Sequence, residues 1–363
     1  MQIQDILKRI IDLNASDLHI RVPNKPVIRK DGELITLEDL PPVTDEEARN
    51  ILTQITNREQ RIIFDEKREL DFSYNIQDLA RFRVNVMWQR GSLSIAFRLI
   101  PFEIPTIDEL GLPQILKDLV MRPRGLILVT GQTGMGKSTT LAAMVNHLNE
   151  NASKNVIIIE EPIEFVHTNK KCIIAQREVG SDTSSFATAL VHALRHDPDV
   201  IVLGEMRDLE TISTAITAAE TGHLVLGTMH TYNTAQSIDR MIDIFPSEQQ
   251  QQIRVQLSQI LEAVLSQVLI PRIEGGRVAA FEIMVATPAV RNLIRDRKVF
   301  QLNSVIQMGS KEGMQTLDQA LANLVKSGIV SKEYAIAKAI DKEQFEKWLQ
   351  YPSAQNNTKT LNT

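Results

Sequence analysis

The run Gly131-Gln132-Thr133-Gly134-Met135-Gly136-Lys137-Ser138 fits the spacing GxxxxGK[ST], and each fixed position has a chemical reason. Glycines let backbone amides turn inward around phosphate oxygens. The lysine reaches the β and γ phosphates, and the hydroxyl that follows it ligates Mg²⁺. At average residue frequencies the pattern arises by chance in about one chain in a hundred of this length. Its context is also the required one. An apolar run, Leu126–Val129, leads into the loop, and a helix reaching Leu148 opens from it, so a helix N-terminus also faces the anion. The expected cofactors are ATP and Mg²⁺, cradled by Gly131, Thr133, Gly134, Met135, Gly136, Lys137, Ser138 and Thr139.

Hydrolysis needs acids near that loop, for the metal and for the attacking water. Doubly wound sheets bind ligands at the carboxyl ends of their strands, which selects residues by position alone. Glu160, Glu161 and Glu164 follow the apolar run ending at Ile159, and Glu205 follows the one ending at Leu203. Asp199 precedes that second run and belongs to the opposite edge. His230 follows the run Leu224–Thr228, whereas His223 precedes it. Seven residues of extended chain separate the two histidines by up to ~23 Å, so both cannot touch one γ-phosphate. His230 is the better phosphate sensor, and His223 is expected to face a neighbouring subunit or a structural partner. Acids after buried strands are often only solvated loop residues. Four strands delivering polar groups to the P-loop edge favour a site.

A second constellation lies upstream. Arg81, Arg83 and Asn85 alternate with Phe82, Val84 and Val86, so the two arginines share a strand face. A partner strand turns Leu93, Ile95, Phe97 and Leu99 inward and leaves Arg98 on the polar face. Three arginines on one face repel unless an anion or acid meets them. One reading is a solvated face. The sharper one is a set of arginine fingers reaching a nucleotide across a subunit boundary, with one P-loop per chain suiting a ring.

These residues need two kinds of scaffold. At 363 residues the chain is long enough for two domains. Its 43% apolar and 23% charged content is that of an ordinary globular core. Lys plus Arg total 40 against 45 Asp plus Glu, a net −5, which does not argue for nucleic acid as a partner. Cys172, the one cysteine, excludes an intrachain disulfide and fits a cytoplasmic life as a small buried residue. No apolar run approaches the ~18 residues of a bilayer span, and charge interrupts Met1–Arg9 too often for a signal peptide, so direct membrane insertion is not expected. Residues 1–98 read as a small α+β domain: an amphipathic helix over 2–13, short strands at Asp17–Val22 and Pro26–Arg29, a helical stretch from Thr44 to Phe64 with a Thr44/Glu47 capping box, and a hairpin of Ala80–Trp88 with Leu93–Leu99. Pro101, Pro105 and Pro113 mark a stiff linker over 99–112, with a natural hinge around 101–105. From 113 to 350 apolar strands alternate with helices, as in a doubly wound α/β domain, turning mostly helical after Ile273. Residues 351–363 form a polar tail.

The segments Gly131–Thr139, Ile159–His167, Gly204–Asp208 and Thr221–Thr231 resemble the Walker A, Asp-box, Walker B and His-box motifs of the secretion ATPase superfamily. Within it the chain is most similar to the type IV pilus retraction ATPases, over about residues 1–345. Ala289-Val290-Arg291-Asn292-Leu293-Ile294-Arg295-Asp296 is similar to their AIRNLIRE signature. The resemblance implies a PAS-like N-terminal domain on a RecA-like ATPase domain, assembled as a homohexamer. It implies pilin removal through an inner-membrane pilus platform protein, at the cytoplasmic face of the inner membrane at the pilus base, with room for a second retraction ATPase beside it. Carried over residue by residue, Lys137 and Ser138 hold phosphate and Mg²⁺, Glu205 is the Walker B acid and Glu164 activates water. On the same basis His230 senses the γ-phosphate, Arg81, Arg83 and Arg98 approach nucleotide, and Glu160, Glu161 and His223 join the nucleotide-side set. The resemblance also implies that Arg291 to Arg295 matter for retraction rather than hydrolysis, although on spacing alone Leu293 and Ile294 there read as an ordinary helix with a charged face. Glu161 stands where these proteins usually have Asp. Met135 replaces a small residue, and Gln132 a Pro or Ala, in the P-loop. Competing readings are an accessory nucleotide-binding ring with little turnover, and a pilus-assembly or type II secretion ATPase, which usually carries a longer N-terminus and a four-cysteine insertion. A RecA-like DNA motor would be expected to show basic pore loops, and none is found.

Overall fold

The structure, a computed structural model, describes residues 2–30, 32–76, 79–100 and 103–351. Pro101 and Phe102, two of the five residues of the expected hinge, and the tail from residue 352 lie outside the described residues. The chain forms two compact units. One comprises the residues up to Glu103 together with Pro162–His167, and the other comprises Ile104–Glu161 and the chain from Thr168 on.

In the first unit the helix Ile3–Asp12 buries Ile3, Ile6, Leu7 and Ile10, the spacing of one helical face. Six strands follow: β1 (Asp17–Arg21), β2 (Val27–Lys30), β3 (Glu33–Thr36), β4 (Glu69–Ile76), β5 (Ala80–Gln89) and β6 (Ser92–Ile100). They form an antiparallel sheet ordered β3-β2-β1-β6-β5-β4. The stretch expected as one helix from Thr44 is two, Asp45–Ile55 and Arg58–Lys67. The predicted Thr44/Glu47 capping box starts the first, and a second box from Asn57 and Gln60 restarts the chain. A cap residue prefers a non-helical backbone, so Asn57 interrupts what apolar periodicity alone would join. Phe82, Val84, Val86, Leu93, Ile95 and Phe97 line the core face of the β5–β6 hairpin, as their alternation requires.

In the second unit seven strands are ordered β13-β12-β7-β11-β10-β8-β9. They are β7 (Gly125–Thr130), β8 (Asn155–Glu160), β9 (Ile173–Glu178), β10 (Val200–Leu203), β11 (Leu224–Met229), β12 (Leu261–Pro271) and β13 (Arg277–Val285). All run parallel except β13, which pairs antiparallel with β12. Alternate residues of the central strands enter separate cores. Leu126, Leu128, Ile201 and Leu203 pack in one, and Ile127, Val129, Val200 and Val202 in the other. That division shows helices covering both faces, which is why these strands read as continuous apolar runs. β9, β12 and β13 were not expected. β12 and β13 carry polar side chains inside the sheet (Ser266, Gln267 and Glu282), which broke the apolar signal, and the helical reading after Ile273 holds only from Pro288 onward. Cys172 is buried, as expected.

Candidate nucleotide site

The site is built where parallel strands end. β7 runs into the glycine loop, and the helix Lys137–Asn151 starts at its lysine. Gly131, Gly134 and Gly136 have φ of 147°, 78° and 81°, conformations that side chains resist. A Cβ on Gly131 would stand 2.6 Å from the Gln267 carbonyl oxygen, so the loop is pressed against β12. The Gln267 side-chain amide donates to the Met135 carbonyl, and the Leu269 amide approaches the Met135 sulfur at 3.4 Å. Met135, an unusual residue in such a loop, thus anchors it to the neighbouring strand. Lys137 is buried, and its ammonium donates to the Gly131 and Gln132 carbonyls at 2.8 and 3.2 Å.

From β10 the chain turns at Gly204, where a Cβ would meet Glu160 Cα at 3.2 Å, and presents Glu205. The Glu205 carboxylate accepts from His230 Nε2 at 2.9 Å and from Arg207 Nε. This contact pushes the Arg207 guanidinium pKa further up. His230 Nδ1 lies 3.3 Å from the Thr133 hydroxyl, closing a chain of polar groups from the P-loop through His230 to Glu205. The structure therefore brings Thr133, Lys137, Glu205 and His230 to one edge of the second unit. Glu160 ends β8 at that edge, and its carboxylate accepts from the Gln176 side chain at 3.3 Å. The two side chains expected to hold a divalent cation, Ser138 and Glu205, both offer oxygen, the donor type that suits Mg²⁺.

Of the other expected site residues, His223 falls elsewhere. His223 precedes β11 and is hydrogen-bonded to the Ala218 carbonyl at 2.9 Å, at the end of the helix Leu209–Glu220. It lies at the opposite edge of the sheet from its own P-loop, because a strand carries its two ends to opposite sides. Glu164 belongs to the segment Pro162–His167 that groups with the first unit. Within the first unit, Arg83 and Arg98 are direct cross-strand partners on the outer face. Acids do meet them there: Asp17 holds Arg98 at 2.8 Å, and Asp71 lies 3.9 Å from Arg83. Part of the expected repulsion is thus relieved without nucleotide. Arg291 is engaged structurally. Its guanidinium donates to the Ser258 and Gln259 carbonyls at the end of the helix Gln250–Ile260 and pairs with Glu262 at 2.8 Å. Arg295 is half-exposed.

Sequence reasoning missed Gln267 and Glu282. The signal was present in both, as a polar residue in a buried apolar strand. Glu282 is 6% exposed and accepts from the Thr234 amide at 2.7 Å, tying down the helix Thr234–Asp243 that follows the His230 turn. Burial raises its carboxyl pKa, with Asp318 adding to the effect and the Thr234 hydrogen bonds opposing it. An acid whose pKa is raised by folding contributes stability at low pH that is lost as pH rises through its folded pKa. Glu282→Gln keeps the acceptor oxygen and removes the titration. As pH rises above the ordinary glutamate range, wild-type melting temperature is expected to fall relative to the variant, as thermal scans would show. Parallel curves would refute the assignment.

The fold and this edge together define a RecA-like P-loop ATPase. Residues 1–344 match the family described as "Type II/IV secretion system protein", and the chain belongs to that family. It is 50% identical over 345 residues to the Pseudomonas aeruginosa protein "Type IV pilus retractation ATPase PilT", covering 95% of this chain and 100% of that one. It is 49% identical over 319 residues to a Neisseria gonorrhoeae "Twitching motility protein", covering 88% of this chain and 85% of the other. The crystal structure of the pilus retraction motor PilT with bound ADP superposes with a TM-score of 0.90 at 46% identity, covering 96% of this chain and 99% of that one. Among the described residues, no helix is long and apolar enough to cross a membrane.

Proposed function

We propose that this chain is a ring-forming ATPase that converts ATP hydrolysis into retraction of a type IV pilus. The observation that carries the reading is the end-to-end likeness to a protein named as a pilus retraction ATPase, together with the Lys137–Glu205–His230 edge. The P-loop amides and the Lys137 ammonium hold the phosphates, and the lysine exchanges its contacts with the loop carbonyls for phosphate oxygens. Ser138 and Glu205 are the residues that would hold Mg²⁺, which would supply positive charge against the phosphates. Glu164 orients the attacking water and takes up its proton. His230, linked to both Thr133 and Glu205, reports whether the γ-phosphate is present. Arg81, Arg83 and Arg98 complete a neighbour's site. Hydrolysis weakens the closed packing of the ring, a domain movement hinged at the linker. The assembly is a homohexamer acting on an inner-membrane platform protein at the cytoplasmic face of that membrane.

The test is ATP turnover against protein concentration with assembly mass followed in parallel. Turnover per chain is expected to rise as the ring forms, and Arg83→Ala is expected to lower it at least ~10-fold at unchanged mass. Nucleotide binding without turnover at any concentration would replace the motor with an accessory ring.

A further inference from the structure

The outer face of the first unit's sheet continues past the three arginines into a second basic cluster. On β1 the face is Asp17, His19 and Arg21, because residues two apart share a side. Register then adds Arg29 opposite Asp17 and Val27 opposite His19, with Leu34 and Thr36 opposite these on β3. All of these except Asp17, with the Asn24–Lys25 turn, line a cleft of about 380 Å³, within the usual range for small-molecule sites.

The charges in this cleft are not balanced. Asp17 carries one negative charge for two arginines, 2.8 Å from Arg98 and 4.0 Å from Arg29. Lys25 is satisfied by Glu38 at 2.8 Å. Among the described residues Arg21 has no ion-pair partner, and His19 Nε2 is buried without a hydrogen-bond partner. A buried polar atom left unpaired costs about 1–3 kcal/mol, so its retention beside an uncompensated guanidinium calls for an acceptor. Burial holds the His19 imidazole below its usual range, Asp17 opposes that, and Arg21, Arg29 and Arg98 reinforce it. The local field is therefore positive. Leu34, 58% exposed, gives the cleft an apolar wall.

We propose that this cleft binds a phosphate monoester, with the phosphate between His19, Arg21 and Arg29 and its apolar group against Val27 and Leu34. Two groups lacking acceptors, a planar guanidinium and an imidazole, suit phosphate oxygens through charge-assisted hydrogen bonds. The cleft is lined wholly by residues of the first unit.

Calorimetric titration of the full chain with inorganic phosphate and with phenyl phosphate tests this, comparing wild type, Arg21→Ala and His19→Gln. P-loop binding is common to all three, so the difference reads the cleft. Wild type is expected to show one more binding event per chain than Arg21→Ala, and His19→Gln to weaken that event about 10-fold, with ATP turnover within about twofold in both variants. Tighter binding of phenyl phosphate than of inorganic phosphate is expected from the apolar wall, and equal affinity for the two probes would overturn the monoester assignment. Identical titrations in wild type and Arg21→Ala would overturn the proposal. So would an Arg21→Ala protein whose assembly mass changes while its phosphate binding does not, which would make the cleft a contact between subunits.

Discussion

Glu205→Gln is expected to lower ATP turnover by about 10²–10⁴-fold while leaving nucleotide affinity within about threefold. The carboxylate stands at the end of β10 with its side chain 16% exposed, and it accepts from both His230 and Arg207. Glutamine has the same volume, so the strand end and its packing persist. Both contacts fall on the same oxygen, Oε1, so glutamine keeps that acceptor for His230 and Arg207. What it loses is the negative charge that a divalent cation needs. Ground-state binding rests on the P-loop amides and Lys137, which the substitution does not touch, so the loss falls on kcat. Steady-state turnover beside equilibrium binding of a fluorescent nucleotide separates the two. Unchanged kcat would move the essential acid elsewhere, Glu164 first.

A larger structural effect is expected at Gly131. With φ at 147° the residue occupies a region closed to side chains, and an added Cβ would meet the Gln267 carbonyl oxygen at 2.6 Å. Backbone strain of this kind costs about 1–3 kcal/mol before the steric clash is counted. Backbone must move to relieve the clash, because no flexible side-chain end stands in the way. The Gly131 carbonyl also accepts from Lys137 at 2.8 Å, so displacing it displaces the lysine. Gly131→Ala is expected to weaken ATP binding by about 100-fold or more, equivalent to about 2.7 kcal/mol, and to lower the melting temperature. Gly134→Ala is the control: φ there is 78° but nothing lies within 4 Å of the added carbon. It suffers the strain without the clash, and its effects should be several-fold smaller. Equal effects at the two positions would show that contact with β12 is irrelevant to the loop.

The P-loop and the strand-end acids were legible because both depend on local order. A glycine loop between an apolar strand and a helix needs no distant partner to be recognised, and the direction of a parallel strand places Glu205 and His230 on one edge and His223 on the other. The β5–β6 hairpin was readable for the same reason, since period-two alternation assigns Phe82 inward and Arg83 outward whatever else the chain does. The break at Asn57 was less visible because Ile62 and Ile63, seven and eight residues after Ile55, keep the helical pattern running across it.

Residue order by itself determined the phosphate-binding loop, the strand ends that carry Glu205 and His230, and the faces of the β5–β6 hairpin, since these follow from spacing along a chain with fixed backbone periods. Tertiary structure decided which side chains share a proton or a charge. Gln267 lies 132 residues from the loop carbonyl it holds, Glu282 lies 48 residues from the amide it caps, and Asp17 answers Arg98 across 81 residues. Hydrogen bonds act over about 3 Å, a scale on which sequence separation carries no information until strand register is set. Register brings these partners together, and it depends on every pairing in the sheet at once.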